Sequence, residues 1–299
     1  LRSATARFLK GDLDATIEFL NKAVGGLKQP PQQAEAFFLI GASQMRQSKY
    51  KEAIATLAKA NQIAPKWAKA DESLLIQSQA YQQDEKIDEA ITTLNSLIRE
   101  FPNSRFKQQA ELRVGQLLVG KGDFDKAISL YDGILESKTP TINLEFVSYA
   151  KAYALMQLKK FEPAIALLEP IASSDRKDNV ATESRLALGI SQRSIDKFSE
   201  SIKTLQQVVD MGAEGDSLAN ALYEQALSFA KNGEADRAKA NFQRIRKEFP
   251  NYKSLDKVLY EGAWISKELG EMEESNALFK ELSQKFPKSP LAGEANPST

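Results

Sequence analysis

The chain has 299 residues, of which 42% are hydrophobic and 27% are charged, and its 40 Lys and Arg residues balance its 40 Asp and Glu residues. No apolar run reaches the length of a transmembrane helix and no basic run suits a phosphate backbone, so we expect neither direct membrane insertion nor nucleic-acid binding. The chain contains no Cys and no His, which excludes Cys/His zinc sites, Cys nucleophiles and His-centred acid–base catalysis.

Carboxylate or Ser–Lys chemistry remains open after these exclusions. The acidic residues are nevertheless scattered over predicted helix faces, and pairs such as Glu273 and Glu274 have the pattern of ordinary surface acids. The sequence therefore predicts no enzyme, no catalytic residue, no metal site and no cofactor.

The predicted elements begin with a partial helix pair between Phe8 and Ala23, in which we place Ala15 and Phe19 at the core positions of the second helix. Residues 1–33 form this partial repeat and its connector, residues 34–291 form seven full repeats, and residues 292–299 form a flexible tail rich in small residues. The full repeats begin near Ala34, Asp71, Gln108, Glu145, Thr182, Ala219 and Asp256.

A spacing of 37 residues defines these repeats. One column of small residues contains Gly41, Ser78, Gly115, Ala152, Gly189, Ala226 and Ala263, and a second contains Ala53, Ala90, Ala127, Ala164, Ser201, Ala238 and Ser275. Two apolar columns follow the second one: Leu57, Leu94, Tyr131, Leu168, Leu205, Phe242 and Phe279, then Ala60, Leu97, Ile134, Ile171, Val208, Ile245 and Leu282.

The columns predict two antiparallel helices per repeat, called helix A and helix B here. Helices approach closely only where side chains are small, so the two small columns mark the crossing of A and B, and the large residues fill the space beside it. Apolar residues at spacings of three and four support helices, and no segment alternates long enough for a sheet. We predict an all-α fold.

Glycine and proline positions support the same boundaries. Gly122, Gly233 and Gly270 fall at the turn from A to B, where a left-handed residue ends a helix, and Asp123 is expected to cap the following helix. Prolines end helix B in four repeats, at Pro65, Pro102, Pro250 and Pro287. The middle repeats have Thr139, Arg176 and Ala213 there, so we expect Pro140 or the 212–215 stretch to make the turn.

The pattern resembles the tetratricopeptide repeat family, and the match is carried by Phe37, Ile40, Gly41, Tyr50, Ala53, Leu57, Ala60 and Pro65. The resemblance implies a right-handed α-solenoid of antiparallel helix pairs, with three residues more per repeat than the usual 34. The phrases at Phe101-Pro102-Asn103 and Phe249-Pro250-Asn251 also resemble bacterial envelope members, such as the outer-membrane assembly lipoprotein and the TolA-binding periplasmic protein.

In this family helix A lines a concave groove, so the resemblance implies a set of partner-binding residues on that helix. They are Phe38, Met45, Arg46, Gln79, Gln116, Tyr149, Tyr153, Met156, Ile190, Arg193, Tyr223, Leu227, Tyr260, Trp264 and Lys267. Tyr and Trp often anchor interfaces, but Tyr149, Tyr153 and Trp264 are equally consistent with packing between repeats. Trp67, in a turn, is expected to be a local packing residue.

Chaperone-binding members of the family clamp a terminal carboxylate with Lys and Asn on helix A. The column after the small helix A residue has no Asn here: it contains Ala42, Gln79, Gln116, Tyr153, Ile190, Leu227 and Trp264. An extended or helical peptide, held by apolar and amide contacts, is therefore the expected ligand.

These observations predict a non-catalytic scaffold that binds a protein or peptide partner, and the resemblance places it in a bacterial envelope assembly, with a cytoplasmic location as the alternative. The chain begins at Leu1, from which we expect a mature product or an excised piece of a longer chain. A structural or oligomerisation segment of a larger protein is the second hypothesis, with terminal repeats offering a surface for a homo-oligomer.

Overall fold

The computed structural model describes residues 1–294, and the side chains up to residue 293. Over this range the regular structure consists of helices, and no strand is present. The α-helices are α1 (Arg2–Lys10), α2 (Leu13–Ala23), α3 (Pro30–Arg46), α4 (Tyr50–Ile63), α5 (Ala70–Gln83), α6 (Ile87–Glu100), α7 (Lys107–Lys121), α8 (Phe124–Leu135), α9 (Leu144–Gln157), α10 (Phe161–Ala172), α11 (Asn179–Ser194), α12 (Phe198–Asp210), α13 (Gly215–Lys231), α14 (Ala235–Glu248), α15 (Leu255–Glu268), α16 (Met272–Lys285) and α17 (Pro290–Glu294).

The chain divides into two compact units, Leu1–Val147 and Ser148–Thr299, and the division falls inside α9. In the first unit each helix from α1 to α8 packs against the next one along the chain, and the same holds from α10 to α17 in the second unit. Odd-numbered helices are helices A and even-numbered ones are helices B. The predicted all-α architecture of consecutive helix pairs is therefore confirmed. Within the described residues, no helix has the length and apolar character needed to span a membrane.

The predicted crossing between helices A and B is present in the core. All members of the second small column are buried, and so are the large residues four positions later. A Cβ atom added to Gly41 would lie 2.6 Å from Leu57 Cγ, and one added to Gly189 would lie 2.6 Å from Leu205 Cγ. Glycine at these crossings therefore makes room for the side chain sixteen residues later.

The first helix pair has a different register from the predicted one. Thr16 and Leu20 are fully or almost fully buried, whereas Ala15 is only partly buried and Phe19 is 38% exposed. Thr16 and Leu20 lie 37 residues before Ala53 and Leu57, and Ala4 lies 37 residues before Gly41. The prediction of Ala15 and Phe19 was wrong by one position, because the 37-residue spacing places Thr16 and Leu20 at the core positions of this helix.

The turns from helix A to helix B all pass through one left-handed residue. Glycine takes this position at Gly11, Gly122, Gly233 and Gly270, as predicted for the last three. Non-glycine residues take it in the other repeats, at Ser48, Glu85, Lys159 and Asp196, with φ between 57° and 61°. All eight positions are spaced by 37 residues, so the turn geometry is kept even where the residue type disfavours it.

The ends of helix B also follow the prediction. Pro65, Pro102, Pro250 and Pro287 each come directly after the residue that caps helix B. Asp123 does stand at the N-cap of α8, but its side chain makes no capping hydrogen bond and instead lies 3.3 Å from Lys126 Nζ. The predicted capping role of Asp123 was therefore wrong.

The segment assigned to a flexible tail begins inside a helix. The last described helix, α17, continues to Glu294, and Leu291 and Ala292 pack against the core of the last helix pair. This contact holds the first residues of the segment, and the remainder of the predicted tail, 295–299, lies outside the described residues.

Replacing Gly115 with alanine tests the crossing between A and B. The added Cβ would overlap the ring of Tyr131, so we expect Gly115→Ala to lower the free energy of unfolding by about 1–3 kcal/mol. The matched control is Gly120→Ala on the same helix, where the added Cβ would meet no atom within 4 Å outside its own helix backbone. This change should raise the free energy of unfolding by roughly 0.5–1 kcal/mol, because alanine has the higher helix propensity. Urea unfolding measures both, and equal effects of the two variants would contradict the close crossing.

Replacing Lys159 with glycine tests the strain at the turns. A left-handed non-glycine residue costs about 1–2 kcal/mol, partly offset by the greater freedom of glycine in the unfolded chain, so Lys159→Gly should stabilise by up to about 1 kcal/mol. The reverse change at the equivalent turn, Gly122→Ala, should destabilise. Thermal unfolding followed by circular dichroism measures both changes, and a destabilising Lys159→Gly would argue against strain at this turn.

Candidate functional site

In the first unit, the predicted groove residues differ widely in what they offer a partner. Phe38 is only 4% exposed and packs edge-on against Trp67, with ring centroids 5.6 Å apart, so it belongs to the core. Trp67 is buried too, in agreement with its predicted packing role. Met45 packs against the cluster around Ile54, and Arg46 is held by the first helix pair, where it donates to the Phe8 carbonyl at 3.1 Å.

The glutamines of the first unit are more accessible. Gln79 is half-buried and Gln116 is exposed. Arg113, on α7, donates to Gln82 of α5 at 3.2 Å, which joins successive helices A across this face. The predicted residues of the first unit therefore provide amide groups and little apolar surface.

In the second unit, the predicted residues come from four helices A, which are α9, α11, α13 and α15. We call this set the helix A surface; it comprises Tyr149, Tyr153, Met156, Ile190, Arg193, Tyr223, Leu227, Tyr260, Trp264 and Lys267. Tyr153 and Trp264 are 43% and 42% exposed, which is high for aromatic side chains. Both occupy the column directly after the small helix A residue, and Ile190 and Leu227 of the same column are half-buried.

The last helix pair carries an aromatic group on this surface. The rings of Tyr260, Trp264 and Phe279 meet edge-on, with centroids 5.6 to 6.2 Å apart, and Phe279 is buried beneath the other two. The Lys267 ammonium lies 4.8 Å from the centre of the Trp264 ring. One side of Trp264 is thus fixed by its neighbours, while a large part of its surface faces solvent.

Tyr149, Met156 and Tyr223 are half-buried at the base of the surface. Burial, with a smaller effect of the neighbouring Glu183 carboxylate, raises the pKa of Tyr149 to about 12. Burial also raises the pKa of Tyr223 above its ordinary value, and its ring packs 6.1 Å from that of Phe242. Both phenols therefore stay neutral at physiological pH and can donate hydrogen bonds.

Charged side chains connect successive helices A on the same surface. Arg193, on α11, forms an ion pair of 2.7 Å with Glu224 on α13, and both side chains are largely shielded from solvent. Burial raises the pKa of Glu261, on α15, and the nearby cations Lys231 and Arg193 oppose this effect. Arg193 therefore makes a contact between repeats. It contributes to the shape of the surface as well as to its charge.

Chemically, this arrangement is suited to binding. Among the described residues, no group of three or more Asp and Glu side chains is placed to hold a metal ion. The side chains of the helix A surface are aromatic rings, aliphatic groups, one thioether and two cations, of which Arg193 is paired with Glu224. Such a surface suits a polypeptide with apolar side chains.

The sequence analysis missed Arg185, which is the largest fully buried side chain. Its guanidinium donates to three carbonyl oxygens at the end of α10 and in the turn that follows: those of Ala172 at 3.0 Å, Arg176 at 2.9 Å and Ser174. This repeat lacks the proline that ends helix B elsewhere, so the arginine organises the turn instead. The available signal was a single arginine in a column otherwise occupied by Phe37, Leu74, Glu111, Ser148, Leu222 and Leu259.

Comparison with known proteins supports the repeat assignment. The family model for the tetratricopeptide repeat matches residues 35–66, 72–104, 220–252 and 257–289. These are the four repeats in which a proline ends helix B, and the unmatched repeats are those with Thr139, Arg176 and Ala213 in that position. No curated protein matches the sequence significantly.

Several solved structures share the fold. A tetratricopeptide repeat protein from Parabacteroides merdae is 15% identical, with a TM-score of 0.65 over 88% of this chain and 97% of that one. The C-terminal part of a repeat protein from Cytophaga hutchinsonii is 14% identical, with a TM-score of 0.65 over 86% and 98%. The quorum sensor NprR from B. thuringiensis is 18% identical, with a TM-score of 0.60 over 94% and 85%.

Identities this low establish the fold alone. Together with the 37-residue register of buried small and large residues, the four sequence matches identify residues 35–66, 72–104, 220–252 and 257–289 as tetratricopeptide repeats.

Proposed function

We propose that this protein is a non-catalytic scaffold that binds a partner polypeptide on the helix A surface of the second unit. The observation that carries the proposal is the exposure of Tyr153 and Trp264, at 43% and 42%, in the same column of the repeat. Large aromatic side chains with this exposure on a fixed helical framework are typical anchors of protein interfaces. Half-buried Ile190 and Leu227 add apolar area from the two helices in between.

The chemistry of the surface favours an extended or helical segment with apolar side chains. Tyr149 and Tyr223 provide neutral phenols; of the two cations in the set, Arg193 is paired with Glu224 and Lys267 lies over the Trp264 ring. A strongly acidic or basic partner would find few free charges of the opposite sign here. Affinity would therefore depend mainly on the burial of aromatic and aliphatic area.

A bacterial cell-envelope assembly remains our proposal for the location of this protein, supported by the resemblance of its Phe-Pro-Asn turns to those of envelope members. We also propose that the protein forms a homo-oligomer through its terminal repeats. Fractionation of the native cells and light scattering of the purified protein test these two points separately.

Affinity capture tests the binding surface. We expect proteins retained by the wild type to be lost from the double variant Tyr153→Ala/Trp264→Ala, because removal of two interface anchors commonly costs about 2 kcal/mol or more each. Since both side chains are far from fully buried, the double variant should keep its fold, which circular dichroism checks.

The matched control is Phe19→Ala, which removes an aromatic side chain of similar exposure from a helix B of the first unit. It should retain the same proteins as the wild type. Equal recovery of the partner by the folded double variant would remove the helix A surface as the binding site.

A further inference from the structure

Several repeats are joined by a hydrogen bond from the turn before one helix A to the start of the previous helix A. Ser104 donates to Asp71 at 2.5 Å, and Ser289 donates to Asp256 at 2.8 Å. Thr141 makes the equivalent bond to Gln108 at 2.9 Å. In all three pairs the residues are 33 positions apart, so we call this the turn contact.

A related bond is found one repeat before the last. Tyr252 occupies the same column as Ser104 and Ser289, and its hydroxyl donates to Asn220 at 2.7 Å. The acceptor is one residue later than in the other pairs, which accommodates the longer tyrosine. The turn contact is therefore a recurrent polar link between repeats, made by a hydroxyl on the turn and an acceptor on helix A.

The pair formed by Gly215 and Thr182 departs from this pattern. Gly215 stands at the turn position, so it supplies no hydroxyl, and its φ of 55° is unfavourable for other residues. Thr182 stands at the helix A position, where the bonded pairs have Asp71, Gln108 and Asp256 and the remaining repeats have Ala34, Glu145 and Ala219. In this pair, therefore, the turn has no hydroxyl donor, and helix A carries a hydroxyl in place of the carboxylate or amide acceptor.

A cavity of about 360 Å³ lies at this missing contact. Its walls include Thr182 and Ser217, which carry hydroxyls, and the amide of Asn179. Val208 and Met211 form an apolar side. The volume is at the lower end of the range for small-ligand sites, and the lining offers several hydrogen-bond donors beside an apolar wall.

The charges around the cavity favour a negative group. Arg185 and Lys177 both line it, against the single carboxylate of Glu214. The Arg185 side chain is buried, and it donates hydrogen bonds to the carbonyl oxygens of Ala172, Arg176 and Ser174. The nearby Asp178 is already engaged, since it accepts from Arg176 at 2.7 Å and from the Ala181 amide at 3.1 Å.

We propose that this cavity binds a carboxylate. In the turn contact, helix A supplies the acceptor; here Thr182 on helix A supplies the hydroxyl donor, and the ligand supplies the carboxylate that accepts. Lys177 and Arg185 supply the compensating charge. The acid belongs either to a free small molecule or to an acidic side chain of a polypeptide. The site shares no residue with the helix A surface, so it stands independently of the proposed function.

Two-dimensional amide NMR of the full chain tests the proposal with three probes: succinate, its neutral analogue succinamide, and a hexa-aspartate peptide. We expect succinate or the peptide to shift amides of residues 177–182 and 212–217, with a Kd on the order of 1 mM. Succinamide should leave these amides unchanged, because it lacks the charge. A response to succinate indicates a free acid as the source, and a response to the peptide alone indicates a polypeptide.

The variant Thr182→Asp places a carboxylate where Asp71 and Asp256 have one, so the fold should accept it. We expect it to weaken binding at least about tenfold through repulsion between like charges. Lys177→Gln, at an exposed position, should weaken binding several-fold without any effect on folding. No shift with either acid, equal shifts with succinamide, or undiminished binding by both variants would overturn the proposal.

Discussion

Helices A and B of each repeat cross so closely that one of the two must present a very small side chain. At Gly41 and Gly189 even a methyl group would meet the leucine of the partner helix at 2.6 Å. Because interiors are packed to a high density, the large residue sixteen positions later is held in one place and supports the next repeat in turn. Helix order, turn position and the exposure of the helix A columns all depend on this crossing.

The same constraint explains why sequence features vary elsewhere while the geometry persists. The left-handed turn residue is glycine in four repeats, but Ser48, Glu85, Lys159 and Asp196 adopt the same conformation in the others. Likewise, proline ends helix B in four repeats, whereas Arg185 ties down the carbonyl oxygens of the proline-free turn after α10. Packing at the crossing outweighs the local cost of an unfavourable residue, which is on the order of 1–2 kcal/mol.

The two candidate binding sites of the second unit use different parts of helix A. The helix A surface uses residues from the middle of the helix onward, where aromatic side chains such as Tyr153 and Trp264 are exposed to solvent. The carboxylate site uses the beginning of the helix and the turn before it, where a repeated hydrogen bond is absent at Gly215. Because all repeats share one register, a residue that differs from the others in its column can be recognised.

The sequence by itself determined the helix pairs, the 37-residue register and the resemblance to tetratricopeptide repeats, because residue size at a helix crossing is decided locally and repeats along the chain. It also placed the aromatic residues of the helix A surface on helices A, since their columns follow from the same register. Only the tertiary structure decided which of the predicted groove aromatics are accessible: Phe38 in the first unit packs against Trp67 and is buried, whereas Trp264 in the second unit is 42% exposed. Accessibility, the burial of Arg185 and the cavity beside Thr182 depend on contacts between neighbouring repeats, which no single column of the sequence contains.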